Sequence, residues 1–175
     1  MDAARELLTR GITPTVEEVA VAAAVSRPTA YRYFPNQREL LGASHPELTM
    51  KSLLPDSPPS DPLKRLDLAS KELVGLLLQH ELALRAMLRI SLEGERGENK
   101  SLALRTGRRI DWVKDALSPL KARLAPKRYR KLVLSISATL GIEPLVWLID
   151  IAGVDREEAA QILRDAARDL LRAAL

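Results

Sequence analysis

The stretch TVEEVAVAAAVSRPTAYRYFPN, residues 15–36, decides how this chain folds. Thr15 with Glu18 three residues on forms a capping box, in which hydroxyl and carboxylate each take the other residue's backbone N–H. It opens a helix expected to end near Ala22. After Ala23, Ala24 and Val25, Ser26 is a second N-cap. Pro28 falls in the first turn that follows, where a missing N–H costs nothing. This helix, Arg27–Phe34, is short because Pro35 stops it. By geometry alone, two helices and a three- or four-residue turn describe a helix-turn-helix or an ordinary helical hairpin. The side chains favour the first. Arg27, Pro28, Thr29, Tyr31, Arg32 and Tyr33 run on with no acid before Glu39, and Arg, Thr and Tyr contact phosphates and base edges.

Working outward, Asp2–Thr9 has helical spacing at Ala4, Leu7 and Leu8, with Gly11 just past its end. Downstream, Asn36 and Glu39 make a second capping box for a fourth helix, expected to bend at His45-Pro46 and resume through Leu54. Val16, Val19, Ala20, Val25, Ala30, Phe34 and Leu40 are the expected core. Residues 55–62 hold four prolines and read as a stiff loop. Beyond it every segment reads as helix: Pro62 to about Leu78, Glu81–Leu92, Arg105–Leu124 with a kink at Pro119, Lys127–Ile142, Pro144–Ile151, and a last helix opened by Asp155 with Glu158. A charged connection, Gly94–Asn99, lies between the second and third of these. The fold class is all-α: an N-terminal three-helix helix-turn-helix domain over 1–45, then an α-helical regulatory and dimerisation bundle over 46–175.

Composition agrees. Hydrophobic residues make up 46%, charged residues 29% and aromatics only 3% of 175 residues, which suits a soluble helical protein. With no cysteine, disulfides and thiolate metal sites are excluded, and a cytoplasmic location is expected. The N-terminus is too charged for a secretory signal, and no uninterrupted apolar run reaches the ~18 residues of a membrane span. No metal, cofactor or catalytic site is expected: His45 and His80 are the only histidines, and no Gly-rich phosphate loop appears. The net charge of +4 is unevenly placed. Residues 1–54 carry six cations and six anions, whereas residues 100–131 carry eleven and two. Bulk charge therefore does not argue for nucleic-acid binding by the first domain. The basic run from Lys100 to Lys131 reads first as a solvated face, with Arg108-Arg109 and Lys127-Arg128 as candidates to meet DNA, an anionic effector or a partner.

Residues 4–41 resemble the DNA-binding domain of the TetR family of bacterial one-component repressors. The resemblance is carried by Thr15-Val16-Glu17-Glu18-Val19-Ala20, Ala24-Val25-Ser26-Arg27-Pro28-Thr29-Ala30-Tyr31-Arg32-Tyr33-Phe34-Pro35-Asn36 and Leu40-Leu41. It implies that Arg27 and Thr29 face base edges or phosphates, with Arg27 able to pair bidentately with guanine. It further implies that Pro28 touches a thymine methyl, that Tyr31 and Tyr33 hold phosphates through their hydroxyls, and that Thr15 sets a helix N-terminus against the backbone. Ser26 and Arg32 belong to the same surface. Three features depart from the family pattern. Ala24 stands where the turn usually has glycine, so it avoids positive φ or carries strain. Gln37 replaces a phosphate-clamping lysine, with Arg38 as its nearest substitute. The chain also starts inside what is usually a longer first helix, without the basic arm that often precedes it.

The same resemblance implies a homodimer on a palindromic double-stranded operator, released by a small-molecule effector of unknown identity. Apolar stripes at Leu132, Ile136 and Leu140, and at Ala159, Ile162, Leu163, Ala166, Ala167 and Leu170, are the expected dimer surface, or else the protomer's own core. His80, Met87, Trp112 and Trp147 lie in helices that would enclose an effector, although simple core packing is the commoner reading of each. The alternative function is a helical interaction and dimerisation module that has lost operator binding.

Overall fold

The computed structural model describes residues 1–44, 50–93 and 108–175. Among these residues every regular element is helical. They comprise α1 (Asp2–Thr9), α2 (Val16–Ala22), α3 (Arg27–Tyr33), α4 (Gln37–Ala43), α5 (Pro62–Gln79), α6 (Glu81–Glu93), α7 (Arg108–Ala116), α8 (Pro126–Thr139), α9 (Ile142–Val146) and α10 (Arg156–Arg172). The chain forms two compact units, one of α1–α4 with α6, the other of α5 with α7–α10.

In the first unit the local signals are realised closely. Thr15 and Glu18 form both legs of the capping box, and Ser26 and Asn36 accept the N–H groups of Thr29 and Glu39. Glu39 does not close its own box; its carboxylate meets the Asn36 side chain instead. The core joins Ala4, Val16, Val19, Ala20, Ala30 and Leu40, with Phe34 packed at its edge. A second cluster joins Leu8 and Leu41 to Ala83, Met87 and Ile90 of α6. Val25, expected inside, is 45% exposed. Its N–H bonds the Ala20 carbonyl and that of Ala24 bonds Val21, a Schellman closure of α2 that spends the Val25 backbone and leaves its side chain outside. The fourth helix ends at Ala43, and residues 50–54 are not helical. The expected resumption through Leu54 is therefore absent, and the bend at His45-Pro46 lies outside the described residues.

In the second unit α10 packs on α5 and α8, and α7 on α5 and α8. The helix expected over Arg105–Leu124 is broken, not kinked, at Pro119. α7 ends at Ala116, and a 3₁₀ turn spans Ser118–Leu120; residues 105–107, like Gly94–Asn99, lie outside the described set. The break is stabilised by Arg65 of α5. Buried, it donates to the carbonyls of Ala116 (3.0 Å) and Asp115 (2.9 Å), which α7 leaves open at its C-terminus.

The expected Lys127–Ile142 helix stops at Thr139. Leu140 and Gly141 separate it from α9, which continues as a π-helical turn over Trp147–Ile151. At Gly141 a side chain would collide with the Arg109 guanidinium, whose Nη1 lies 1.4 Å from the position of a Cβ. That guanidinium holds the Leu140 carbonyl and Glu143 instead. Residues 126–151 have a mean hydropathy of 1.9 over a membrane-length window. Ser135, Ser137 and Glu143 interrupt the segment, so it holds no unbroken apolar run of membrane length. Half of that window is buried inside the protein, as in a core helix.

Candidate nucleic-acid interface

α3 is a two-turn rod pinned by one buried residue, Ala30, against the α1–α2 core. With 100° per residue, Arg27 and Tyr31 share one line along it, and Pro28 and Arg32 the next. All four are exposed, so the outward arc of α3 carries two guanidiniums, a phenol and a pyrrolidine. Tyr33 is 65% exposed and is a surface residue; the Arg32 guanidinium lies 5.3 Å from the centre of its ring, a cation–π distance.

The hydroxyl-bearing residues are less open. The Thr15 hydroxyl is held within the capping box (Thr15 Oγ1 to Glu18 Oε2, 3.0 Å), and those of Ser26 and Thr29 meet each other at 2.8 Å. The Tyr31 hydroxyl donates to the Glu17 carboxylate of α2. That hydrogen bond pulls the Glu17 carboxyl below its ordinary pKa, with Arg27 adding a smaller pull, and pushes the Tyr31 phenol above its own. Glu17 is absent from the sequence-based set because its partner lies fourteen residues away, on another helix.

Gln37 and Arg38 serve the fold. Gln37 Nε2 donates to the carbonyl of Pro14 at 2.9 Å, and Arg38 Nη2 to that of Ile90 in α6 at 3.0 Å. The clamp and its expected substitute therefore both hold backbone of their own unit. The turn before α3 contains Ala24 at φ +54°, alone among the described non-glycine residues in being left-handed. Of the two outcomes open to an alanine there, the chain adopts the strained one.

The residues grouped as an effector pocket are divided between the two units, His80 and Met87 in the first and Trp112 and Trp147 in the second. Met87 belongs to the core of the first unit, and His80 is the single residue between α5 and α6. Trp112 is buried in the second unit, donating its indole N–H to the Met50 carbonyl at 2.8 Å. Trp147 is 56% exposed on the π-helical turn. Of the expected dimer surface, Leu132, Ile136, Leu140, Ala159, Leu163 and Ala167 are buried within the protomer. Their stripes face α5 and the other helices of the same unit, so they complete its core. Ile162 is exposed and Ala166 and Leu170 are partly so, one turn apart along the outer side of α10. Among the described residues no group of His, Asp or Glu is placed to hold a metal ion.

Comparison with curated proteins and with solved structures gave no match. Residues 1–43 match the family model described as bacterial regulatory proteins, tetR family. That segment ends with α4 and contains the capped α2, the turn and the whole outward arc of α3. Residues 1–43 of the 175 therefore form a domain of the kind found in bacterial regulatory proteins of the tetR family.

Proposed function

We propose that the protein is a sequence-specific transcriptional repressor that binds a palindromic operator as a homodimer in the cytoplasm and is released by a small-molecule effector. The observation that carries this reading is the outward arc of α3. Arg27, Pro28, Tyr31 and Arg32 are exposed together on a rod of major-groove size, while Ala30 anchors its back. One such rod buries little surface, and pairing two across a dyad is how helix-turn-helix proteins gain affinity. The outer line Ile162–Ala166–Leu170 of α10 is the best-supported surface for that pairing, since the inner residues are spent on the protomer core. Arg27 is the base reader and Tyr31 a phosphate ligand; nothing in the site calls for catalysis.

Selecting bound duplexes from a random pool tests the reading. A palindromic consensus is expected, with two half-sites about one helical turn apart. Arg27→Ala is expected to flatten preference at one base pair, costing about 1–3 kcal/mol there. Recovery of unselected sequence would reject operator binding. It would favour a second reading, a helical dimerisation module without DNA affinity, which the internal engagement of Gln37 and Arg38 supports.

A further inference from the structure

α2 carries two acids in its first turn, and they do different work. Glu18 closes the capping box. Glu17 is not needed for that cap; it accepts the hydroxyl proton of Tyr31. A phenol has a single O–H, so Tyr31 donates to Glu17 or to a phosphate, never to both. The pairing also keeps the proton on Tyr31: the hydrogen bond to Glu17 raises the phenol's pKa, and Arg27, the other charge acting on it, lowers it less. A phenol, with an ordinary pKa of about 10, is a donor at neutral pH in either case. The charge of Arg27 also acts on the Glu17 carboxylate, so the acid attenuates the field of the nearest reading arginine.

We propose that Glu17 is a built-in competitor for DNA phosphate, its carboxylate engaging the Tyr31 hydroxyl and attenuating Arg27 until a duplex displaces it. This rests on the DNA-binding reading above. Displacement weakens every duplex complex, but an operator complex has base contacts to offset it and a non-specific complex does not. The device lowers absolute affinity for non-operator sequence and leaves the operator-to-non-operator ratio unchanged.

The full-length protein and its E17Q, Y31F and E17Q/Y31F variants are titrated against a duplex recovered from the random pool and a scrambled duplex of equal length. E17Q is expected to tighten binding to both by roughly three- to tenfold, the range of one unfavourable surface charge removed. In the Y31F background, the same substitution gains much less, because no hydroxyl is left to release. A second readout needs no DNA. With Y33F and Y129F, Tyr31 is the sole tyrosine, and E17Q is expected to shift its ultraviolet titration down toward the ordinary phenol range.

Equal gains with and without the Tyr31 hydroxyl would mean plain charge repulsion and overturn the competition. So would an unchanged E17Q affinity, or a phenol titration indifferent to Glu17. If the protein and all its variants ignore every duplex, the functional reading fails and the competition with it; duplex binding with no coupling sinks only the competition.

Discussion

Ala24 and Gly11 perform the same task with different residues. Gly11 closes α1 at φ +74° with its N–H on Leu8 and that of Ile12 on Leu7; Ala24 closes α2 at φ +54° in the same pattern. Gly occupies this region freely, whereas an L-residue with a Cβ is strained there by about 1–2 kcal/mol. The unfolded chain gains freedom when Gly replaces Ala, so part of that relief is lost. Ala24→Gly is therefore expected to stabilise the first unit by about 0.5–1 kcal/mol, read as a higher urea midpoint at unchanged slope. A lower midpoint would show that the left-handed turn is not formed in solution.

At this scale the chain is largely legible in its letters, because caps, stops and left-handed turns are decided within three or four residues. Thr15, Ser26, Asn36 and Asp155 all cap as their spacing foretells. Glu17 is not legible in the same way: its role depends on where the fold places Tyr31.

Between elements, the decisive contacts are long in sequence and polar. Arg65 joins α5 to the end of α7 by bonds to Ala116, Asp115, Ser118 and Pro59, which no periodicity argument contains. Its guanidinium meets several acceptors at once in a fixed fork, which an ammonium on a shorter reach does not reproduce. Arg65→Met leaves the last carbonyls of α7 without their partner, while the Asp115 carboxylate, 38% exposed, keeps the Ser52 hydroxyl. A loss of about 1–3 kcal/mol is expected, and Arg65→Lys should recover little of it. Full recovery by lysine in thermal unfolding would show that charge alone matters there.

Asp67 makes the other bridge, accepting from Arg164 and Arg168 of α10, each at 3.0 Å. The hydrogen bond from Arg168 is the chief cause that holds its carboxyl below the ordinary range, with Arg164 adding to it. A depressed carboxylate contributes stability that is present above its unfolded pKa, near 4, and is lost as pH falls through the folded value. The advantage of the native protein over D67N is thus expected at neutral pH and to vanish in acid. An advantage that grew on acidification would contradict the pairing. The helices themselves were foreseeable from hydrophobic spacing, but their partners were not: an apolar stripe on α10 looks the same whether α5 or a second protomer covers it. Likewise nothing in the letters of α6 says that Met87 packs on α1 and α4.

For the molecule as a whole, charge and expected function sit in different places. On the proposed reading the first unit binds a polyanion with few cations to spare: Arg38 holds Ile90, and Arg5 holds the Ser44 carbonyl at 2.6 Å. Exposed on the α3 arc are Arg27 and Arg32. Lys121, Arg123, Lys127, Arg128, Arg130 and Lys131 of the second unit are exposed with no acid among them in sequence, a denser supply than the reading domain possesses. Salt dependence separates the two sources, because each phosphate neutralised by a cation contributes about −0.9 to the slope of log K against log salt. With Arg27 on a base, one phosphate-facing arginine, Arg32, from each of two protomers gives a slope of about −2, whereas engagement of the α8 cations as well would push it beyond roughly −6. The shallow value is expected, together with a sequence preference that survives added salt because base contacts release no counterions. A steep slope with weak sequence preference would instead locate the affinity in the basic face of the second unit and take the primary role away from α3.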